Sequence, residues 1–185
     1  RLVEYLQCLP TTLISMDKVE ADDIISFLAQ GFGSKGHRVT IVSSDKDFLQ
    51  VVDDNVEVYS PIKKKIYKKR DVAEELGMIP ENYLIVKSLL GDNSDNLTGV
   101  KGLGIKTILK EFPGIINDPN FNLESIFSIC EEKLKTKKIF ARIVHEWDKV
   151  ETNYELMNLL EPRLSDQEIL YILNKIKQPT TSLQV

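Results

Sequence analysis

Strand-like and helix-like segments alternate up to residue 70, and only helix-like segments follow. This predicts an α/β fold: a parallel sheet with its helices in residues 1–70, then an all-helical region in residues 71–185. Acidic residues also gather where apolar runs end, in "VEADD", "SSDKD" and "GDNSDN". In open sheets of this class ligands collect at the carboxyl ends of the strands. Asp45 and Asp47 therefore stand where a site is expected.

Taken in order, Leu2, Val3, Leu6 and Leu9 fit one helical face, which Pro10 ends. "TTLISM" reads as a short strand. "EADDIISFLAQGF" reads as a helix with Ile24, Ile25, Phe27 and Leu28 inward and a glycine-rich exit at Gly31 and Gly33. "HRVTIVSS" is a second strand, followed by a helical turn through Phe48, Leu49 and Val51. "VEVYSP" is a third strand, after the turn residues Asp53 to Asn55. From Asp71 onward, "DVAEELG", "PENYLIVKSLLG", "GIKTILKEF", "LESIFSICEEKL", "KIFARIVHEWDKVETNYELMNLL" and "DQEILYILNKI" carry apolar residues at helical spacing.

A chain of 185 residues, 42% hydrophobic, can bury a sizeable core. Its net charge of −4 argues against coating nucleic acid by bulk charge but leaves room for a local basic patch. Cys8 and Cys130 form no metal-ligand spacing and no disulfide framework, which suits a reducing cytoplasm. No apolar run reaches membrane-spanning length, so no membrane association is expected. The sequence begins at Arg1, inside a helical "RLVEYLQCL", and reads as part of something longer.

Three acidic clusters stand out. Glu20, Asp22 and Asp23 open the first long helix, Asp45 and Asp47 follow a strand, and Asp92 and Asp95 follow the apolar helix ending at Leu90. Each alone has an ordinary reading, since acidic residues complement a helix N-terminus and cap turns. If Asp45 and Asp47 continue the strand they face the same side, and like charges that close repel by about 4 kcal/mol near a protein surface. A cation between them would relieve this. With no His or Cys in any cluster, that cation would be a hard one, magnesium or manganese before zinc.

"GVKGLGIKT" adds a second chemistry, three glycines before a helix starting near Ile105. Glycine permits tight turns whose amides face an anion. A Walker A loop is a near miss, because Ile105 stands where its lysine belongs. A helix-hairpin-helix over residues 89–112, gripping a phosphate independently of base sequence, fits better. The basic run "IKKKIYKKR" reads alone as a solvated hairpin, and beside such an element as a strip for a DNA backbone. His37 and His145 have no ligand partners in sequence, and Trp147 reads as core.

"VEADDIISFLA", "VTIVSSDKDFLQ" and "SLLGDNSDNLTGVKGLGIKT" together resemble, in order, the motifs of the flap endonuclease (5′-nuclease) family. That family includes the 5′-3′ exonuclease domain of bacterial DNA polymerase I and the phage 5′-nucleases, among them the phage RNase H. The resemblance runs from about Leu2 to Phe112. It implies a PIN-like core lacking its first strands, followed by the helical region, and a structure-specific nuclease cutting DNA flaps and RNA primers with two Mg²⁺ or Mn²⁺ ions. Glu20, Asp22, Asp45, Asp47 and Asp92 are implied as catalytic ligands, with Asp22 between the ions and Asp45, Asp47 and Asp92 at the second site. Asp23 and Asp95 are implied as outer carboxylates. Lys46, Gly99, Lys101, Gly102, Gly104, Lys106 and Thr107 are implied DNA contacts, with a potassium ion expected around Val100 to Leu103.

The same resemblance implies flapped or branched duplex DNA and RNA–DNA primer junctions as substrates, a cytoplasmic monomer, and a polymerase, clamp or single-strand-binding protein as partners. The family's first metal aspartate and its helical arch have no counterpart here, so this chain alone is expected to be weak or inactive. Two alternatives stand beside this reading: a DNA-binding module using only the hairpin, and a PIN-type ribonuclease without one. Neighbouring carboxylates in such a pocket are expected to raise one another's pKa.

Overall fold

A computed structural model describes residues 1–180. Helix α1 (Leu2–Gln7) is followed by a segment without regular structure. Helix α2 (Ala21–Gly33) leads into strand β1 (Val39–Val42). A 3₁₀ turn (Asp47–Val51) connects β1 to β2 (Val56–Ser60), and a short hairpin connects β2 to β3 (Lys65–Tyr67). Strands β1 and β2 are parallel, Val39 opposite Val56, whereas β2 and β3 are antiparallel, Val58 opposite Tyr67.

Two expectations change here. "TTLISM" is not a strand: among the described residues it has no ladder partner. Instead the Thr11 hydroxyl donates to the Leu6 carbonyl (3.0 Å) and Leu13 is exposed. β-propensity alone supplies no neighbour to satisfy backbone N–H and C=O groups. The third strand of the sheet is instead β3, built from the basic run and antiparallel, so the sheet is mixed. In α2, Ile24, Ser26 and Ala29 are buried while Ile25 turns outward. The Ser26 hydroxyl is used, donating to the Leu159 carbonyl.

Helices α3 (Lys69–Leu76) and α4 (Tyr83–Leu90) follow, then a two-stranded ribbon of β4 (Gly91–Asp92) and β5 (Leu97–Thr98). Helices α5 (Ile105–Glu111), α6 (Leu123–Glu132), α7 (Lys138–His145), α8 (Trp147–Leu156) and α9 (Asp166–Lys177) complete the fold. The stretch read as one long helix divides at Glu146 into α7 and α8. Inward residues keep helical spacing across the break, Phe140 and Ile143 before it and Val150 and Asn153 after it, so periodicity gives no sign of it.

Two apolar clusters form. One joins Ala29, Ile41, Phe48, Leu49, Val56 and Val58 beneath the sheet, and it takes in Val72 of α3, beyond residue 70. The other gathers Val86, Leu89, Ile108, Phe112, Ile126, Phe140, Ile143 and Val150 from the helices. Leu76 and Tyr83 pack against both. Buried Gln50 fastens the two parts: its amide donates to the Met157 carbonyl (3.1 Å) and accepts the Leu159 N–H (3.0 Å). Buried Asn153 likewise donates to the carbonyls of Ser88 (3.0 Å) and Thr98 (3.1 Å), fixing α8 to the end of α4 and to the ribbon.

Candidate active site

The 3₁₀ turn at residues 47–51 buries Phe48, Leu49 and Val51, and that anchorage aims Asp47. Strand β1 ends at Val42, so Asp45 and Asp47 lie beyond it and not side by side on a strand. Asp45 closes a local turn, its Oδ1 accepting the Asp47 N–H at 2.8 Å. Asp22 stands in the first turn of α2, two residues after Glu20 at the N-cap position. Asp92 leaves the end of α4 on β4, and Asp95 occupies the tight turn between β4 and β5.

These elements close around one cleft of about 640 Å³, lined by Glu20, Asp22, Asp45, Asp47, Asp92 and Asp95 on its acidic side. Leu97, Leu156, Met157 and Leu159 line the other side. Asp47, Asp92 and Asp95 each offer a carboxylate oxygen within 4.8 Å of the other two. Asp23 is absent from the lining, and its Oδ1 accepts the Arg163 N–H at 3.1 Å.

Lys87 and Ser94 are the residues that the acidic pattern did not reveal. The Lys87 ammonium lies between Asp47 and Asp92, donating to Asp47 Oδ1 and to Asp92 Oδ2 at 2.9 Å. Ser94 donates to Asp92 Oδ1 through its N–H (2.9 Å) and its hydroxyl. A sequence sign did exist for Lys87, a lone cation inside the apolar "LIVKSLL". Part of the charge that relieves this acidic group is therefore supplied by the protein itself.

The pKa directions follow the geometry. Hydrogen bonds from Ser94 and then from Lys87 pull the Asp92 carboxyl down to about 2, contrary to the expectation that every acid in the pocket is raised. Burial raises Asp47, outweighing Lys87, and burial followed by the charges of Asp45 and Glu20 raises Asp22. Burial alone would discharge Lys87, but its bonds to Asp47 and Asp92 prevail and hold its pKa above the ordinary value.

The signs of linkage are opposite for the two kinds of acid. Asp92 contributes stability above the unfolded aspartate value, and this is lost as pH falls towards about 2. For Asp22 the contribution is present at low pH and is lost as pH rises through its raised folded value. Asp22→Asn is therefore expected to raise the metal-free melting temperature at pH 7. The gain should vanish below about pH 3, where aspartate is protonated in either state. An equal gain at both pH values in a thermal melt would contradict this assignment.

The glycine-rich turn lies beside the cleft. Gly102 has φ +76°, a turn conformation that glycine adopts freely. Gly99 has a packing reason instead, since a Cβ there would fall 2.0 Å from the Leu90 carbonyl oxygen. Gly104 is the N-cap residue of α5, and Thr107 N–H bonds to its carbonyl at 2.9 Å. Lys101 and Lys106 are exposed and make no ion pair among the described residues. The Lys101 carbonyl accepts Arg142 Nη1 at 2.5 Å.

Lys46 points to Glu75 (3.9 Å), which also binds Lys63 (2.8 Å) and Lys65 (3.2 Å). Lys68 pairs with Glu57, Lys69 with Glu81 and Arg70 with Glu74. Most of the basic run thus forms exposed ion pairs with the protein's own carboxylates. Glu75 is held at about 2, first by the Lys63 hydrogen bond.

The family model described as 5′-3′ exonuclease, N-terminal resolvase-like domain, matches residues 1–77. A 5′-3′ exonuclease of Aquifex aeolicus is 32% identical over 191 residues, covering 98% of this chain and 62% of the relative. The chain is therefore similar to 5′-3′ exonucleases along nearly its whole length, and its first 77 residues match the family model. Another 5′-3′ exonuclease of the family, from Buchnera aphidicola, is 39% identical over 141 residues, with coverage of 75% and 49%. DNA polymerase I of Bacillus subtilis is 36% identical over 141 residues, covering 72% of this chain and 16% of that one. The chain spans about half to three fifths of the length of the two exonucleases.

Among solved structures, a mutant of the T5 5′-exonuclease superposes with TM-score 0.71 at 22% identity, covering 89% of this chain and 68% of that one. The bacteriophage T5 flap endonuclease, in a pseudo-enzyme–product complex with DNA and metal ions, also gives 0.71 at 22%, with coverage of 89% and 62%. These likenesses establish the fold, an α/β sheet core followed by a helical region.

Proposed function

We propose that this protein is a divalent-metal-dependent 5′-nuclease that hydrolyses phosphodiesters in flapped or branched DNA and at RNA–DNA primer junctions. The observation that carries the reading is convergence: six carboxylates from three segments line one cleft, and a glycine-rich turn follows with two exposed lysines that make no ion pair among the described residues. The donor set is entirely carboxylate oxygen, which fits Mg²⁺ or Mn²⁺. Asp47, Asp92 and Asp95 would hold one ion, with Asp45 beside them, and Glu20 and Asp22 a second. Asp23, which does not line the cleft, would act only as an outer carboxylate. Bound there, such ions supply Lewis acidity and an activated water.

The chain's own groups do the rest. Ser94 fixes the rotamer of Asp92, and the buried 3₁₀ turn fixes Asp47. Gly102, Gly104, Lys101, Lys106 and Thr107 form the turn that receives a duplex phosphate, holding the substrate without reading its bases. The expected potassium ion would meet the Lys101 carbonyl already engaged by Arg142. No helix among the described residues is long and apolar enough to cross a membrane. A cytoplasmic monomer working beside a replicative polymerase, clamp or single-strand-binding protein fits this reading.

The test is cleavage of a 5′-flapped duplex with Mg²⁺ or Mn²⁺. This chain should cleave weakly and only with the divalent ion, and Asp92→Asn should reduce the rate at least about a hundredfold. Flap binding without cleavage, by the protein and the variant alike, would instead support a DNA-binding module.

A further inference from the structure

Lys87 is 7% exposed, on a helix whose neighbouring side chains Ile85, Val86 and Leu89 belong to the helical core. A lysine in such a place is rare unless it is paired. Here its two partners, Asp47 and Asp92, come from different parts of the fold, the turn after β1 and the strand after α4. Both are residues that the proposed function assigns to a single ion, together with Asp95.

An ion bound to the Asp47, Asp92 and Asp95 oxygens would lie within a few Å of the ammonium, which already uses oxygens of two of them. Like charges at that range repel, most strongly where water is excluded. With no ion bound, the same ammonium is the only cation in hydrogen-bond contact with the cluster among the described residues.

We propose that Lys87 is a tethered counter-ion that holds Asp47 and Asp92 together in the metal-free protein and weakens divalent binding there. The inference rests on the metal reading above. It adds that the site is tuned for exchangeable binding, not for the tightest retention its carboxylates allow. Lys87 is thus a positioning residue with two opposed effects: it stabilises the empty cleft and competes with the ion that fills it.

Isothermal titration with Mn²⁺ of the parent, Lys87→Met and Lys87→Arg separates these effects. Lys87→Met should bind Mn²⁺ about tenfold tighter or more and melt lower without metal. Lys87→Arg keeps the charge and should remain within a few-fold of the parent. Lys87→Gln carries the same expectation as Met and serves if the Met variant does not fold without metal. A purely structural lysine would lower the melting temperature with metal affinity unchanged or weakened, and that result overturns the proposal. A parent and variants that all ignore Mn²⁺ would overturn the metal reading itself.

Discussion

Millimolar Mn²⁺ or Mg²⁺ should raise the melting temperature of this protein at pH 7 to 8 by about 5–10 °C. A ligand that binds only the folded state at a hundredfold excess over its dissociation constant stabilises by about 2.7 kcal/mol. In a domain of this size each kcal/mol shifts melting by roughly 2–4 °C. The cleft supplies the physical reason. Burial raises Asp22 and Asp47, so ionising either carries a cost that a bound divalent ion would offset. Asp47→Asn with Asp92→Asn should abolish the shift. This double variant should also melt below the parent without metal, because it strips the buried Lys87 ammonium of both its carboxylates. A scanning-calorimetry trace of the parent that does not respond to either ion would remove the basis for a metal centre in this cleft.

Phe140→Ala should be the most damaging single change outside the cleft. The ring is fully buried and stands edge-on to Phe112, centroids 6.0 Å apart at 87°. Truncating a buried phenylalanine costs about 3–5 kcal/mol in lost transfer energy and residual cavity. That is roughly 6–20 °C in melting for a domain of this size. Phe112 closes α5, the helix that follows the glycine-rich turn, so loosening this pair should also raise amide exchange across residues 105–111. A loss below about 1 kcal/mol in urea denaturation would mean that the helical core is far less tightly packed than the contacts around Phe140 require.

The legible parts of this fold are those where a residue's own chemistry determines its place. The apolar runs of β1, β2 and α4 follow from their patterns, and the acidic residues at element ends converge on one cleft. What was illegible depends on partners distant in the chain. "TTLISM" has strand composition but pairs with no strand among the described residues. The lysines of the basic run look free until Glu75 and Glu81 are brought beside them. Asp45 and Asp47 suggested a strand pair because alternation was assumed to continue past Val42, whereas a 3₁₀ turn begins at Asp47. Gly99 looked like a phosphate-gripping residue, and the carbonyl of Leu90 explains it equally well. Lys87 is the instructive miss, because helical periodicity assigns position 87 to the core but cannot say which charges will meet it there.

The fastening of Gln50 to Met157 and Leu159 also governs when the cleft can exist. These bonds, with those of Ser26 and Gln30 to the Leu159 carbonyl, span 107 to 133 positions of chain. Contacts of such long range form late, because the entropy of closing the intervening loop is lost before the contacts return it. On the ribosome, where chains emerge from the N-terminus at about 5–20 residues per second, the first acidic residues appear several seconds before the segment that walls them in. Met157 and Leu159 line the same cleft as Asp22 and Asp47. The acidic residues of the cleft are therefore synthesised well before Met157 and Leu159, the part of its lining that comes last in the chain.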